Sequence, residues 1–416
     1  MNFIDLFAGA GGLSEGFINA GFKPIAHIEI DAAACNTLKT RQAYHHLNNS
    51  GKIRTYKNYL KNIIKRSELY IKVPKKDREK VINLGIGEEN NNLIFEKIDA
   101  LLGEEEVDLI IGGPPCQAYS LVGRARSSNG MKNDSRNHLY IEYAKFLDRY
   151  NPRMFIFENV IGLKSAKDGF YLKSMEKLFL TNGYKMKLYT VNANNFGVLQ
   201  NRRRVIIIGW KEDMDPALPN LEKLDFKLKY RVKSIFSDLP PLNAGEGIDK
   251  YAKYVKKKPN AYLKKTHIRN GANILTQHIT RPHTDQDKEI YKIAVKKWKG
   301  KKERLNYNDL PENLKSHLNR TSFSDRFKIV APNEPYSQTI VAHIAKDGHY
   351  YIHPDINQNR SISVREAARL QSFPDNYYFE GVKEGINRTA AFTQIGNAVP
   401  PLMALAIART IKSILE

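Results

Sequence analysis

A doubly wound α/β fold with a second, smaller domain is what this sequence predicts, and three observations predict it. Short apolar runs alternate with helical patterns, glycine- and proline-rich turns follow those runs directly, and the rhythm stops near residue 211. Strand, turn and helix in that repeated order make βαβ units. Runs that are apolar on both sides suit a parallel sheet buried by helices on each face.

The elements follow in order. Phe3 to Phe7 reads as a strand, Leu13 to Ala20 as a helix and Ile25 to Ile30 as the next strand, with a helix after Asp31. Between Arg41 and Leu93 the pattern breaks into a Lys-, Asn- and Arg-rich stretch, expected to be a surface insertion (41–93). Within it Ile53, Tyr56, Leu60 and Ile63 line one side of a helix. The rhythm resumes with the strand Val107 to Ile111 and a helix whose Tyr140, Tyr143, Leu147 and Tyr150 share a face. The apolar strands Met154 to Phe157 and Val205 to Ile208 follow. From Lys211 onward lysine clusters such as Lys256, Lys257 and Lys258 replace it, and Leu402 to Leu415 closes the chain as an amphipathic helix packing back on the first domain. The expected boundaries are 1–210 plus 390–416 for the first domain and 211–389 for the second.

Composition narrows the class. The chain has 416 residues and 42% hydrophobic content, enough for a sizeable core. Its only cysteines, Cys35 and Cys116, are far apart, which excludes a disulfide framework and makes a reduced, cytoplasmic compartment the expectation. The segment MNFIDLFAGAGG lacks a basic region before an apolar one, and no membrane association is expected. Sixty-six Lys and Arg against 44 Asp and Glu give a formal charge of +22, which attracts polyanions. A lysine-rich proteome would produce the same excess, so composition alone leaves nucleic acid and a merely basic surface both standing.

Four clusters carry chemistry. Asp5-Leu6-Phe7-Ala8-Gly9-Ala10-Gly11-Gly12 sets a glycine-rich turn between strand and helix, where backbone must approach a ligand closely. Glu29 ends the next strand, placed to accept hydrogen bonds from ribose hydroxyls. The pair suggests an adenosine-containing cofactor. NAD and S-adenosylmethionine (AdoMet) both remain open, although the third glycine is out of the dinucleotide register.

Gly112-Gly113-Pro114-Pro115-Cys116-Gln117 follows a strand, so a thiol on a stiff loop emerges at the carboxyl edge of the sheet. Glu158, followed by Asn159-Val160, offers a carboxylate at that edge. A thiol beside a carboxyl group suits nucleophilic addition to an electron-poor ring whose nitrogen is protonated as attack proceeds. Gln200-Asn201-Arg202-Arg203-Arg204 precedes a buried strand, and alternation sends Arg202 and Arg204 to one side and Arg203 to solvent or a phosphate.

These residues resemble the 5-cytosine DNA methyltransferases of bacterial restriction-modification type, from end to end of the chain. The motifs are Asp5 to Gly12, Glu29, Gly113 to Gln117, Glu158-Asn159-Val160, Gln200 to Arg204, Arg365 to Phe373 with Pro374, and Gln394 to Pro400. The resemblance implies a Rossmann-like AdoMet-dependent methyltransferase domain joined to a target-recognition domain. It implies that Phe7, Gly9, Gly11, Gly12, Glu29, Ile30, Asp99, Ala100, Gly113, Pro115, Leu139, Asn397 and Ala398 line the AdoMet site, Asp99 reading the adenine amine. Cys116 would attack carbon 6 of a flipped cytosine, Glu158 would bond its N3 edge, and Arg202 and Arg204 would orient base and loop. Gln117, Ser120, Asn159 and Gln200 are implied as substrate-binding residues, with Ser120, Arg124 and Arg126 on the mobile loop that closes over the base. No metal is implied.

Three features depart from the family pattern: the long insertion between Asp31 and Asp99, Leu199 where proline is common, and Tyr119 in place of phenylalanine. The basic segment from Lys211 to Gln338 matches the family's recognition region, where lysines contact phosphate and Arg, Asn or Gln read base edges. The partners implied are double-stranded DNA and a cognate restriction endonuclease, with the enzyme a monomer on DNA in the bacterial cytoplasm, at the nucleoid. The alternatives are a solitary DNA methyltransferase, a tRNA cytosine-5 methyltransferase, a catalytically dead DNA-binding homologue and, more distantly, a Rossmann oxidoreductase.

Overall fold

The computed structural model of the chain describes residues 1–115, 138–219, 221, 229–269 and 273–416. Among these, seven strands form one sheet: β1 (Asn2–Leu6), β2 (Lys23–Glu29), β3 (Val81–Asn83), β4 (Leu109–Gly112), β5 (Met154–Asn159), β6 (Tyr184–Asn192) and β7 (Arg203–Lys211). Their spatial order is β3-β2-β1-β4-β5-β7-β6. The first five are parallel, whereas β7 lies antiparallel between β5 and β6. The Val205 to Ile208 run, read as part of a parallel sheet, therefore runs the other way. That reversal decides the geometry of the site.

The helices of this unit are α1 (Gly12–Asn19), α2 (Ala32–Asn49), α3 (Ile53–Leu60), α4 (Arg66–Ile71), α5 (Lys75–Glu79), α6 (Glu88–Leu102), α7 (Leu139–Tyr150) and α8 (Phe170–Thr181). Alternation along the strands builds two apolar layers. Ile4, Ile110, Phe155 and Phe157 pack against α6, α7 and α8, while Phe3, Ile111, Ile156 and Ile208 pack against α1 and the C-terminal helix. Each fully buried side chain of this kind contributes ~1.5–3 kcal/mol, which is why residues apolar on both sides of a strand specify a three-layer arrangement.

Expected as a surface excursion, 41–93 is instead built into the structure. Its β3 is the edge strand of the main sheet, paired to β2 through His27↔Val81 and Glu29↔Asn83. Tyr56, Tyr59, Leu60 and Leu69 are buried against Ile274 and Tyr378. The expected apolar face Ile53, Tyr56, Leu60, Ile63 is cut short because α3 stops at Leu60 and Asn62 takes φ +59°, leaving Ile63 64% exposed.

Beyond β7 regular structure is sparse: α9 (Ala261–Lys265), α10 (Asp285–Lys301), α11 (Arg320–Phe323), α12 (Val364–Leu370) and the two-stranded ribbon of β8 (Gly247–Ile248) with β9 (His278–Ile279). Buried ion pairs organise it. Arg369 bridges Asp238 and Asp375, Arg269 joins the same Asp238, and Arg360 meets both carboxylate oxygens of Glu366 at 2.8 Å. The core of this region runs into the first, since Val232, Ile340 and Phe373 cluster with Ala10, Leu199 and Ala398.

The chain ends with α13 (Arg388–Asn397) and α14 (Pro401–Leu415). Arg388–Leu415 is long and apolar enough by composition to cross a membrane, but more than half of it is buried in the protein. α14 crosses α1 so closely that a Cβ on Gly16 would lie 2.4 Å from Ala404, so this apolar character is spent on the core.

Candidate active site

In this strand order β1 leads to β2 on one side and to β4 on the other, and the crevice outside the carboxyl ends of such strands is where open α/β sheets bind ligands. The glycine-rich turn lies there. Phe7, Gly9 and Gly11 all take left-handed φ (+56°, +54° and +81°). The two glycines serve different ends. A Cβ on Gly9 would meet nothing within 4 Å, so that side is open, whereas one on Gly11 would lie 2.8 Å from Leu38 and 2.9 Å from the Tyr377 hydroxyl. Gly12 faces the protein too, its would-be Cβ 2.2 Å from the Val399 carbonyl. Gly11 and Gly12, expected against the cofactor, thus give their side-chain space to Leu38 and the 377–399 segment.

The Gly9 N–H donates to Glu29 Oε2 (2.7 Å), and the Asp31 N–H donates to Oε1 (2.8 Å). Burial pushes the Glu29 carboxyl above its ordinary range against those two bonds. Beside it Ile30 is 73% exposed and offers an apolar surface next to the Glu29 carboxylate. Asn83, at the end of β3, donates to the Glu29 and Ile30 carbonyls (3.0 and 2.9 Å) and fixes this corner. An acceptor for a diol, an apolar platform and open space over Gly9 together fit an adenosyl group.

Asp99 and Ala100 are not part of this corner. They lie in the last turn of α6, and Asp99 pairs with Arg149 and Tyr150. The cavity it lines also contains Asp108 and Arg153, which lie just before β4 and β5, at the amino ends of those strands. The long insertion misled the count, because β3 ends at Asn83, sixteen residues earlier.

At the other end of the crevice the loop after β4 passes Gly113, whose would-be Cβ lies 2.8 Å from Glu158 Oε2, and reaches the exposed Pro115. Cys116, Gln117 and Ser120 lie outside the described residues, as do Tyr119, Arg124 and Arg126. Glu158 Oε1 accepts from Arg204 Nε at 2.8 Å, and the two side chains are only 12% and 13% exposed. Antiparallel pairing explains the contact. Asn159↔Val205 sets the start of β7 beside the end of β5, so an arginine in the first residues of one strand meets a carboxylate in the last residues of the other.

The remaining expected site residues divide. Arg203 is exposed, as alternation requires. Arg202 is fully buried and donates to the Ile340 and Gly396 carbonyls (2.6 and 3.0 Å). Gln200 is equally buried; its amide N donates to the Leu370 carbonyl and Gln371 Oε1, and its Oε1 accepts from the Ile340 N–H. Asn159 donates to the Pro114 carbonyl (3.2 Å) and braces the loop that leads to Cys116. Among the described residues Arg202, Gln200 and Asn159 are therefore buried in the site's frame. Leu139 opens α7, partly exposed, while Asn397 is exposed at the end of α13 and Ala398 is buried beside Gly12.

The sequence reading missed Asn83 and Tyr377, whose hydroxyl bonds the Ala10 carbonyl. Only an asparagine two residues before a Gly-Ile-Gly run marked the first, and nothing local marked the second.

Fold and crevice define an α/β enzyme of nucleoside-cofactor type. The chain belongs to the C-5 cytosine-specific DNA methylase family, whose model matches residues 1–66 and 81–413. It is 39% identical over 453 aligned residues to the type II methyltransferase M.Bpa9945I of Bacillus paralicheniformis, covering 100% of this chain and 99% of that protein. It is 31% identical to M.DdeI of Desulfomicrobium norvegicum, covering 99% and 88%. A solved prophage-encoded DNA modification methyltransferase from E. coli shares the fold at 23% identity and a TM-score of 0.64, covering 100% of this chain and 99% of that one. The protein is a DNA (cytosine-5-)-methyltransferase, of a family that uses AdoMet.

Proposed function

We propose that the enzyme methylates carbon 5 of a cytosine within a short duplex DNA site through a covalent Cys116 adduct, as the modification half of a restriction-modification system. The observation that carries the chemistry is the Glu158–Arg204 pair, 2.8 Å apart at the carboxyl edge and next to the loop that leads through Pro115 to Cys116.

In this reading a cytosine leaves the duplex stack, at a cost of a few kcal/mol. The Cys116 sulfur bonds to carbon 6, while Glu158 holds a proton at N3 and accepts from the exocyclic amine. Electron density so gained at carbon 5 forms the new carbon–carbon bond. Loss of the carbon 5 proton to water, return of the N3 proton to Glu158 and cleavage of the carbon–sulfur bond then restore the ring and the thiolate. Arg204 fixes the Glu158 carboxylate and faces the base's carbonyl, and Arg202 positions β7 from below. Bound AdoMet would supply the electrophilic methyl group and leave as its neutral thioether. Glu29 would hold its ribose, Ile30 its adenine, the open backbone at Phe7 and Gly9 its amino-acid end, and Leu139 and Asn397 the rim. The end of β3 at Asn83 takes the adenine-edge role that Asp99 is too remote to fill.

Residues 211–338 would read the site and 1–210 with 390–416 would carry the chemistry. The enzyme would work as a monomer on DNA in the cytoplasm, beside a cognate endonuclease. M.Bpa9945I and M.DdeI, both type II methyltransferases by name, favour that context over a solitary enzyme or a tRNA methyltransferase.

Trapping tests the proposal. Wild-type protein with AdoMet and duplexes containing 5-fluorocytosine should give a denaturation-resistant adduct that Cys116→Ala abolishes. An adduct on fluorinated tRNA and on no DNA would overturn it.

A further inference from the structure

The helix α3 carries a charge pattern that neither packing nor catalysis uses. No Asp or Glu occurs between Asp31 and Glu68, and residues 51–80 hold eleven Lys and Arg against three acidic residues. A lysine-rich helix that serves only solubility is ordinarily laced with carboxylates at i+3 or i+4. Here Tyr56, Tyr59 and Leu60 are buried on one side of α3, and Arg54, Lys57 and Lys61, at helical spacing, share the opposite side. Among the described residues none of these three pairs with a carboxylate, in contrast to Arg66 and Lys80, which meet Glu380 and Asp77.

That basic side is joined to the segment 247–258 by specific contacts. Lys61 Nζ lies 5.8 Å from the ring centre of Tyr251, which is 41% exposed and held at φ +56°. Lys250 Nζ stands 3.8 Å over the Tyr59 ring and 5.4 Å from Tyr378, while the Tyr59 hydroxyl bonds Glu380 at 2.5 Å. Lys253 and the run of lysines from 256 to 258 are exposed on the same segment. The insertion therefore braces part of the basic region and prolongs its positive surface.

We propose that the Arg54–Lys57–Lys61 side of α3, continuous with 250–258, is a phosphate-binding surface that grips duplex DNA. It adds affinity without sequence information, because lysine and arginine contacts to phosphate release counterions whatever the bases. The inference rests on duplex DNA being the substrate.

The experiment measures binding of the full chain to a duplex several helical turns long, of arbitrary sequence, across a salt series. The triple variant Arg54→Gln/Lys57→Gln/Lys61→Gln should weaken binding and lower the slope of log affinity against log salt by up to about 2.7, at about 0.9 per lost phosphate contact. The charge-keeping variant Lys57→Arg/Lys61→Arg should bind as wild type does. An unchanged slope in the triple variant, or a loss of tRNA binding with duplex binding intact, would overturn the proposal. Methyl transfer to genomic DNA, followed in parallel, judges the enzyme reading separately: its absence from wild type would sink that reading, whereas the surface stands or falls on the slope.

Discussion

Arg202 separates a framing role from a catalytic one, and replacing it with methionine tests which it has. Methionine keeps much of the volume and removes both guanidinium bonds, the one at 2.6 Å to the Ile340 carbonyl and the one at 3.0 Å to the Gly396 carbonyl. Arg202 is fully buried, so water cannot replace the lost donors. A buried acceptor left without its partner costs ~1–3 kcal/mol, so the pair should cost about 2–6 kcal/mol, a large share of the ~5–15 kcal/mol that holds a folded protein. Thermal unfolding of Arg202→Met should start well below that of wild type, with or without DNA. Activity should decline in step with the folded fraction and with the fit of β7 to α13. Arg204→Met is the contrast: Arg204 is 13% exposed and bonds Glu158, so it should lose methyl transfer with little change in melting. An Arg202→Met protein that melts like wild type yet transfers no methyl would refute the framing role and put the guanidinium on the substrate.

Three further outcomes follow from the same contacts. Glu29→Gln should weaken AdoMet binding by roughly 10–100-fold per charge-assisted bond lost, read by calorimetry. In wild type that affinity should begin to fall at a higher pH than an ordinary carboxylate would give. Burial raises the Glu29 pKa, and its protonation as pH drops removes the acceptor. His278, His283 and His353 are buried and neutral, with pKa lowered to about 4 from 6.5 by desolvation. Between those values the unfolded chain takes up protons that the folded one refuses, so stability is lost as pH falls from 6.5 to 4. The loss is on the order of 3 kcal/mol per histidine, and a melting curve flat across that window would contradict it. Gly12→Ala puts a methyl 2.2 Å from the Val399 carbonyl, forcing α14 away from α1, and should lower the melting temperature before any effect on cofactor affinity appears. Lost cofactor affinity with unchanged melting would return Gly12 to the cofactor face.

What the sequence made legible was local and periodic. The β1 turn, the Glu29 strand end and the Glu158 strand end each rest on a run of apolar residues followed by a chemical group, and such runs fix which edge of the sheet the group reaches. Strand direction is not local. Nothing in Val205 to Ile208 says that β7 enters antiparallel, yet that is what sets Arg204 against Glu158 and not at the far edge. Counting along the chain failed for Asp99 because five helical or strand elements intervene after Asp31 before α6 begins, and β3, only three residues long, gives almost no periodic signal. The buried ends of Gln200, Arg202 and Asn159 were illegible for another reason. Polar residues in a motif read as reactive, and only tertiary contacts reveal that backbone carbonyls occupy them.

Those carbonyls explain why so many charged motif residues lie inside the protein. Arg202 ties β7 to residues 340 and 396, and Gly396 lets α13 approach Ala342 so closely that a Cβ would meet its amide nitrogen at 2.2 Å. Arg369 links α12 to Asp238 and Asp375, and Arg365 bonds Thr276 and the Tyr377 carbonyl, while Tyr377 in turn bonds the glycine turn at Ala10. A guanidinium suits each of these places because its rigid planar fork reaches carbonyl and carboxylate acceptors on separate sides, whereas all of lysine's donors sit on one nitrogen. The result is a continuous buried network from the cofactor turn, through α12 and α13, to the segments 235–280 and 340–345. Any shift of the basic region would have to pass through these bonds, because the arginines that tie β7 and α12 in place also tie in the segments 235–280 and 340–345.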